Sequence, residues 1–206
     1  MAVKVHVIFH STYGHVWKLA EAVAEGARQI QGTDVQIFQV AETLPPDILA
    51  KMGAVEAKKA FAHIRVADPK RLAEADAIFL GSPTRYGSAA SQMQAFLDAA
   101  GQHWVAGALI GKVGSVFTST ASQHGGQETT LLSMMTFLFH QGMVVCGVPY
   151  SSKELLTLDE MSGGTPYGAS TIAGPTGQRL PSANELAIAR AQGRHGTDVA
   201  ARLVRS

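Results

Sequence analysis

The stretch Val3–Val23, VKVHVIFHSTYGHVWKLAEAV, changes its periodicity in the middle, and that change decides the fold. Val3, Val5, Val7, Ile8 and Phe9 form a short apolar, β-branched run, the pattern of a strand buried on both faces of a parallel sheet. Leu19, Ala20, Val23, Ala27 and Ile30 then follow Val16 at 3, 4, 7, 11 and 14 residues, which puts them on one stripe of a helix. Between strand and helix lies the loop Ser11–His15, with two hydroxyls, a tyrosine, a glycine and a histidine but no lysine or arginine.

The same alternation recurs along the chain. Val35–Val40 reads as a second strand, and Ala77–Gly81 (AIFLG) as a third, followed by the loop SPTRYGS and a helix carrying Met93, Phe96 and Leu97. Val113–Thr118 reads as a fourth strand, followed by the loop STASQHGGQE and a helix with Leu131, Met134, Met135 and Leu138. Met143–Val148 supplies a fifth strand, and Ser182 and Glu185 stand at capping-box spacing at the start of a last helix. Strands alternating with helices predict an α/β fold with a doubly wound sheet of five parallel strands and helices on both faces. Two stretches fall outside the rhythm. Residues 41–70 contain a Pro-Pro break and a modest helical pattern, and residues 162–181, rich in Gly, Thr and Pro, read as a long ordered loop. A single domain over residues 1–206 with these two excursions is expected.

Composition excludes several classes of function. The 206 residues carry a net charge of +1 with His neutral, and no run of Lys or Arg forms a nucleic-acid or polybasic membrane patch. Cys146 is the only cysteine, so an internal disulfide is impossible and a reducing compartment is expected. The first apolar run is too short for a signal peptide, and no segment reaches the roughly 18 apolar residues of a membrane span. The expectation is a cytoplasmic protein without membrane insertion. The eight histidines show no metal-ligand spacing, and the GxSxG elbow of a hydrolase is absent.

Ligands of open parallel sheets bind outside the carboxyl ends of the strands. Three loops leave such ends here, Ser11–His15, Ser82–Ser88 and Ser119–Gln127, and all are polar although the strands feeding them are apolar. The first enters a helix whose free N–H groups and dipole suit a phosphate, with hydroxyls from Ser11, Thr12 and Tyr13 and close backbone approach at Gly14. A phosphate monoester can be held by neutral donors, whereas a polyphosphate normally requires the lysine of GxxxxGK[ST], and neither that pattern nor GxGxxG is present. Taken alone, Ser11 and Thr12 are ordinary helix-capping residues. Arg85 and Tyr86 add a cation and an aromatic face suited to a planar ligand, and Ser119, Thr120, Ser122, Gln123 and Gly125 add further donors. The three loops together point to flavin mononucleotide.

These residues resemble the WrbA family of flavodoxin-like NAD(P)H:quinone oxidoreductases. The resemblance runs over STYGH, ADAIFLGSPTRYG, QMQAFLD, GALIGKVGSVFTST, GGQETT, HQGMVV, GGTPYGASTIAG and PSANELAIARAQG, nearly the whole chain. It implies a flavodoxin-like fold with the FMN phosphate on Ser11, Thr12, Tyr13, Gly14, His15 and Val16. The flavin ring would lie against Thr84, Arg85 and Tyr86, with further contacts from Ser119, Thr120, Ala121, Ser122, Gln123, Gly125 and His140. Tyr13 matches a position associated with the nicotinamide nucleotide, and Trp104 one associated with the quinone. The chain departs from the familiar STGTGGGQE at STASQHGGQE, which has one more residue and two fewer glycines in the turn. The resemblance also implies a homotetramer and a two-step exchange in which NAD(P)H reduces the flavin at N5 and a quinone then removes both electrons. No side chain is assigned as an essential acid or base; His140 is the best candidate for a proton or hydrogen-bond donor, with a spacer of the flavin pocket as the equal alternative. The alternatives are a one-electron carrier of flavodoxin type and an FMN-binding accessory protein without turnover. Carriers of that kind are typically acidic, and a chain without a basic stripe gives no support to contact with DNA.

Overall fold

A computed structural model describes residues 2–205. The elements in chain order are β1 (Val3–Phe9), α1 (His15–Arg28), β2 (Thr33–Gln39), α2 (Pro46–Lys51), α3 (Ala54–Lys59), β3 (Ala77–Arg85), β4 (Ser88–Ala89), α4 (Ser91–Asp98), α5 (Gly101–Ala106), β5 (Val113–Thr120), α6 (Gln127–His140), β6 (Val144–Val145), β7 (Ser170–Ile172) and α7 (Ala183–Arg205). The main sheet runs β2-β1-β3-β5-β6, and every pairing along that order is parallel.

Alternation along the central strands divides the core into two layers, because successive side chains of a strand point to opposite faces. Val5, Val7, Phe9, Phe79, Val113 and Phe117 share one cluster with Leu19 and Val23 of α1 and Ile188 and Ala189 of α7. Ile8, Ile78, Leu80 and Val116 share the other with Met93 and Phe96 of α4 and Leu131, Met134 and Leu138 of α6. Helices therefore cover both faces.

The fifth sheet position differs from the expected Met143–Val148 strand. Only Val144 and Val145 pair with β5, opposite Val113 and Gly114, after which the chain leaves the sheet. The carboxyl half of that position is filled by β7, whose Ser170, Thr171 and Ile172 pair with Thr118, Ser119 and Thr120. The segment 162–181 thus contains a strand as well as loop. Its downstream end is fixed by the capping box: the Ser182 N–H donates to Glu185 Oε2 at 2.8 Å, and the Glu185 N–H donates to Ser182 Oγ at 3.3 Å. The other excursion forms α2 and α3 and returns to the sheet edge through a bridge between Gln39 and Val66.

Candidate active site

β1, β3 and β5 end at the same edge of the sheet, and a cavity of about 500 Å³ opens there. It is lined by Ser11–Tyr13, His15 and Val16 after β1, by Pro83–Arg85 at the end of β3, and by Ser119–Ala121 at the end of β5. Met52 and Gly53 from one excursion and Ala173–Gly177 from the other complete the wall.

The loop after β1 is braced from within. Ser11 Oγ accepts the Gly14 N–H at 3.0 Å, and Gly14 takes φ 94°, a left-handed conformation that a side chain would strain. The first intrahelical bond runs from the Lys18 N–H to the Gly14 carbonyl, leaving the N–H groups of the first turn of α1 without helix partners. No side chain caps this end and no acidic residue stands in the first turn. Buried His15 lines the same cavity, and its Nε2 has no hydrogen-bond partner among the described residues. Burial lowers the His15 pKa, against the opposing effect of backbone groups at Gly177 and Arg179, so the ring is neutral at pH 7. A cavity with unpaired helical N–H groups, a hydroxyl-rich loop and an orphaned imidazole nitrogen fits a phosphate monoester.

Cations reach this loop from elsewhere in the chain. Arg85 Nη2 donates to Thr12 Oγ1 at 3.1 Å, and Lys58 Nζ of α3 donates to the Ser11 carbonyl at 3.2 Å while pairing with Glu42 at 2.9 Å. Burial alone would raise the Glu42 pKa. Hydrogen bonds from Lys58, the Leu44 N–H and Gln92, with the Lys58 charge, outweigh it and bring the carboxyl down to about 2. His10 lies buried next to the group. Desolvation, reinforced by Lys58 and Arg85, lowers its pKa to about 4. Lys58 thus braces the loop from a helix 47 residues further on, a contact that no local motif in the loop announces.

Thr84 is fixed by the Thr130 hydroxyl at 2.8 Å and the Gly87 N–H at 3.2 Å, and Thr120 by Gln127 Nε2 at 3.0 Å. Tyr13 donates its hydroxyl to the Met52 carbonyl at 3.1 Å, tying the first loop to the excursion.

Other expected residues lie outside the cavity lining. Gly14 forms the turn behind it. Tyr86 occupies the tip of the β3–β4 hairpin with φ 53° and is fully exposed, with a relative accessibility of 106%. Ser122 and Gln123 are exposed on the turn after β5 and Gly125 is half-buried. Trp104 is 62% exposed on α5, which packs against the helical turn Pro69–Glu74 leading into β3. His140 ends α6, just before β6 pairs with the first residues of β5. Both therefore sit at the opposite end of the sheet from the cavity. Sequence reasoning missed Met52, Gly53, Pro83, Ala173–Gly177, and the Lys58–Glu42–His10 group. For 173–177 a signal existed in the unusual length of the Gly-, Thr- and Pro-rich segment.

A doubly wound parallel sheet with this cavity at its carboxyl edge defines a flavodoxin-like protein. Residues 3–154 match the family described as NADPH-dependent FMN reductase. Proteins named NAD(P)H dehydrogenase (quinone) match over nearly the full length of both chains. The one from Syntrophobacter fumaroxidans is 57% identical over 98% of this chain and 100% of its own, and that from Methanosarcina acetivorans 55% identical over 98% of each. The crystal structure of the flavodoxin, WrbA-like protein from Agrobacterium tumefaciens superposes with a TM-score of 0.65 at 25% identity, covering 98% of this chain and 99% of that one. A flavodoxin from the domain Archaea, at 19% identity and a TM-score of 0.60 over 98% of this chain and 99% of its own, shares the fold. This chain belongs to the flavodoxin-like family of NAD(P)H dehydrogenases (quinone).

Proposed function

We propose that this protein is an FMN-dependent oxidoreductase that transfers two electrons from NAD(P)H to quinones, with the cavity at the ends of β1, β3 and β5 as its flavin site. The single observation that carries the assignment of the site is the convergence of three strand-end loops and the uncapped α1 N-terminus on that one cavity. Membership of the family supports the activity.

In this reading the N–H groups of the first turn of α1, with Ser11, Thr12 and His15, hold the phosphate. Arg85 brings a positive charge to the loop, Lys58 braces the Ser11 carbonyl with its own charge paired to Glu42, and the walls at Thr84–Arg85, Ser119–Ala121 and 173–177 enclose the rest of the ligand. The chemistry that bound FMN supplies is two-electron exchange through N5. The protein supplies orientation and electrostatics. Buried His10, with its pKa lowered to about 4 by desolvation, offers no charged acid at pH 7. Tyr13, half-exposed at the cavity rim, is the proposed contact for the nicotinamide nucleotide.

The homotetramer and the roles of Trp104 and His140 belong to the same reading. Neither residue lines the cavity of its own chain, so each could serve a site only in another copy. Exposed Trp104, Val105, Ile110 and Phe139 on α5, on the turn after it and on α6 offer apolar surface for such an assembly. A cytoplasmic location is supported by the free, buried Cys146.

A visible absorption spectrum of the purified protein, followed by anaerobic mixing with NADH or NADPH and then a benzoquinone, tests the activity. Bleaching of bound flavin and its recovery on adding the quinone are expected. Flavin that stays oxidised with either nucleotide would leave an electron carrier or an accessory flavoprotein.

A further inference from the structure

The capping-box carboxylate of α7 does more than cap a helix. Glu185 is fully buried, and its two oxygens accept from the Gly163 N–H (2.8 Å), the Ile172 N–H (3.1 Å), Thr171 Oγ1 (2.7 Å), the Ser182 N–H (2.8 Å) and Arg179 Nη1 (2.9 and 3.0 Å). Arg179 extends the set, donating to the Ile172 carbonyl at 2.7 Å and the Met161 carbonyl at 2.8 Å. One carboxylate and one guanidinium therefore connect the start, the middle and the end of the segment 161–182.

The cavity wall Ala173–Gly177 lies between these attachment points. It follows β7 directly, and the Arg179 N–H closes it by donating to the Ala173 carbonyl at 2.9 Å. Its other anchor is the sheet, where the Ala173 N–H donates to the Thr120 carbonyl at 2.8 Å. Gly177 faces His15, the first residue of α1: a Cβ built on it would stand 3.6 Å from His15 Cε1. The wall thus closes on the end of the cavity where the helix presents its unpaired N–H groups.

We infer that Glu185 and Arg179 are positioning residues of the flavin site, holding the wall 173–177 against the α1 N-terminus so that the cavity discriminates for the phosphate of its ligand. The inference rests on the reading of this cavity as the FMN site. A capping box alone requires only the reciprocal bonds between Ser182 and Glu185. The bonds to Gly163, Thr171, Ile172 and Arg179 lie outside that motif, and all of them act on the segment that carries the wall.

The test compares FMN with riboflavin, which lacks the phosphate, by fluorescence titration of flavin-stripped full-length protein. Three variants are measured beside the wild type: Glu185→Gln, Arg179→Gln and Ser182→Ala. The two clamp variants should lose about tenfold or more in FMN affinity, the scale of one charge-assisted hydrogen bond, while riboflavin binding changes much less. Ser182→Ala removes the capping hydroxyl but none of the bonds to the wall, so it should lower the melting temperature and leave the FMN-to-riboflavin ratio at the wild-type value. The Arg179 side chain is partly exposed, so Arg179→Gln decides the matter if Glu185→Gln does not fold. A wild type that prefers FMN, with the same preference in the folded clamp variants, overturns the inference and leaves the site standing. A wild type with no preference for FMN over riboflavin overturns the phosphate site and the clamp together.

Discussion

Ser11 and Thr12 face the cavity with their hydroxyls already engaged. Ser11 Oγ accepts from the Gly14 N–H and Thr12 Oγ1 from Arg85, and each hydroxyl keeps a proton to donate to an anion. Replacing both with Ala should weaken FMN binding by about 1.5 to 3 kcal/mol for each bond to the charged phosphate, read by fluorescence titration. Unchanged affinity would put the phosphate elsewhere. The loop residues were legible because polarity concentrated at the end of an apolar strand is a local signal. Lys58, His10 and Glu42 were not, since their meeting depends on how the excursion folds back over β1. That buried group also sets an acid response. The His10 pKa falls from an ordinary 6.5 to about 4, so between those values the unfolded chain binds the extra proton and folding weakens as pH falls. The contribution is fully present above about 6.5 and is lost on the way down to about 4, worth at most on the order of 3 kcal/mol. Glu42, lowered from 4.5 to about 2, loses its share in the separate window below about 4.5. Thermal melts from pH 7 to 4.5 should show a falling Tm that His10→Gln flattens. An equally steep fall in the variant would assign the acid sensitivity to other groups.

At the scale of elements, the central strands and the helices beside them follow the periodicity closely, because both faces of a buried parallel sheet must be apolar. The fifth position did not. MVVCGV reads as one continuous strand, yet pairing stops at Val145. Gly147 marks the departure: a Cβ placed there would lie 2.0 Å from the Pro166 carbonyl oxygen, so the returning segment packs directly on this backbone, where the Val148 N–H bonds the same oxygen at 2.9 Å. A strand of three residues inside a Gly- and Pro-rich tract carries too little pattern to be seen, and β7 exists because β5 offers it an edge. Gly147→Ala should therefore cost about 1 to 3 kcal/mol by overpacking. Because the returning segment also carries β7 and the cavity wall, FMN retention should fall with stability. Calorimetry together with the flavin-to-protein absorbance ratio checks this, and a variant that melts like wild type would show that the contact yields without cost.

Across the whole molecule the two excursions, unplaceable from sequence, both reach the cavity, one through Met52 and Gly53 and the other through residues 173–177. Trp104 stands apart, and its placement makes a sharp prediction. As a core residue it would cost about 3 to 5 kcal/mol on truncation, but at 62% exposure the substitution Trp104→Ala should change the stability of an isolated chain by no more than about 0.5 kcal/mol. FMN content should also hold, since Trp104 does not line its own chain's cavity. If the indole completes the quinone pocket of a neighbouring copy, the variant should raise the quinone KM, with stacking of about 0.5 to 1.5 kcal/mol beyond buried area at stake. The elution mass of the assembly then separates two routes to that KM. A raised KM in an assembly of wild-type mass places the indole beside the substrate, whereas a raised KM with a lower mass makes Trp104 a contact that brings the copies together. Wild-type KM and wild-type mass in the same variant would remove Trp104 from both roles.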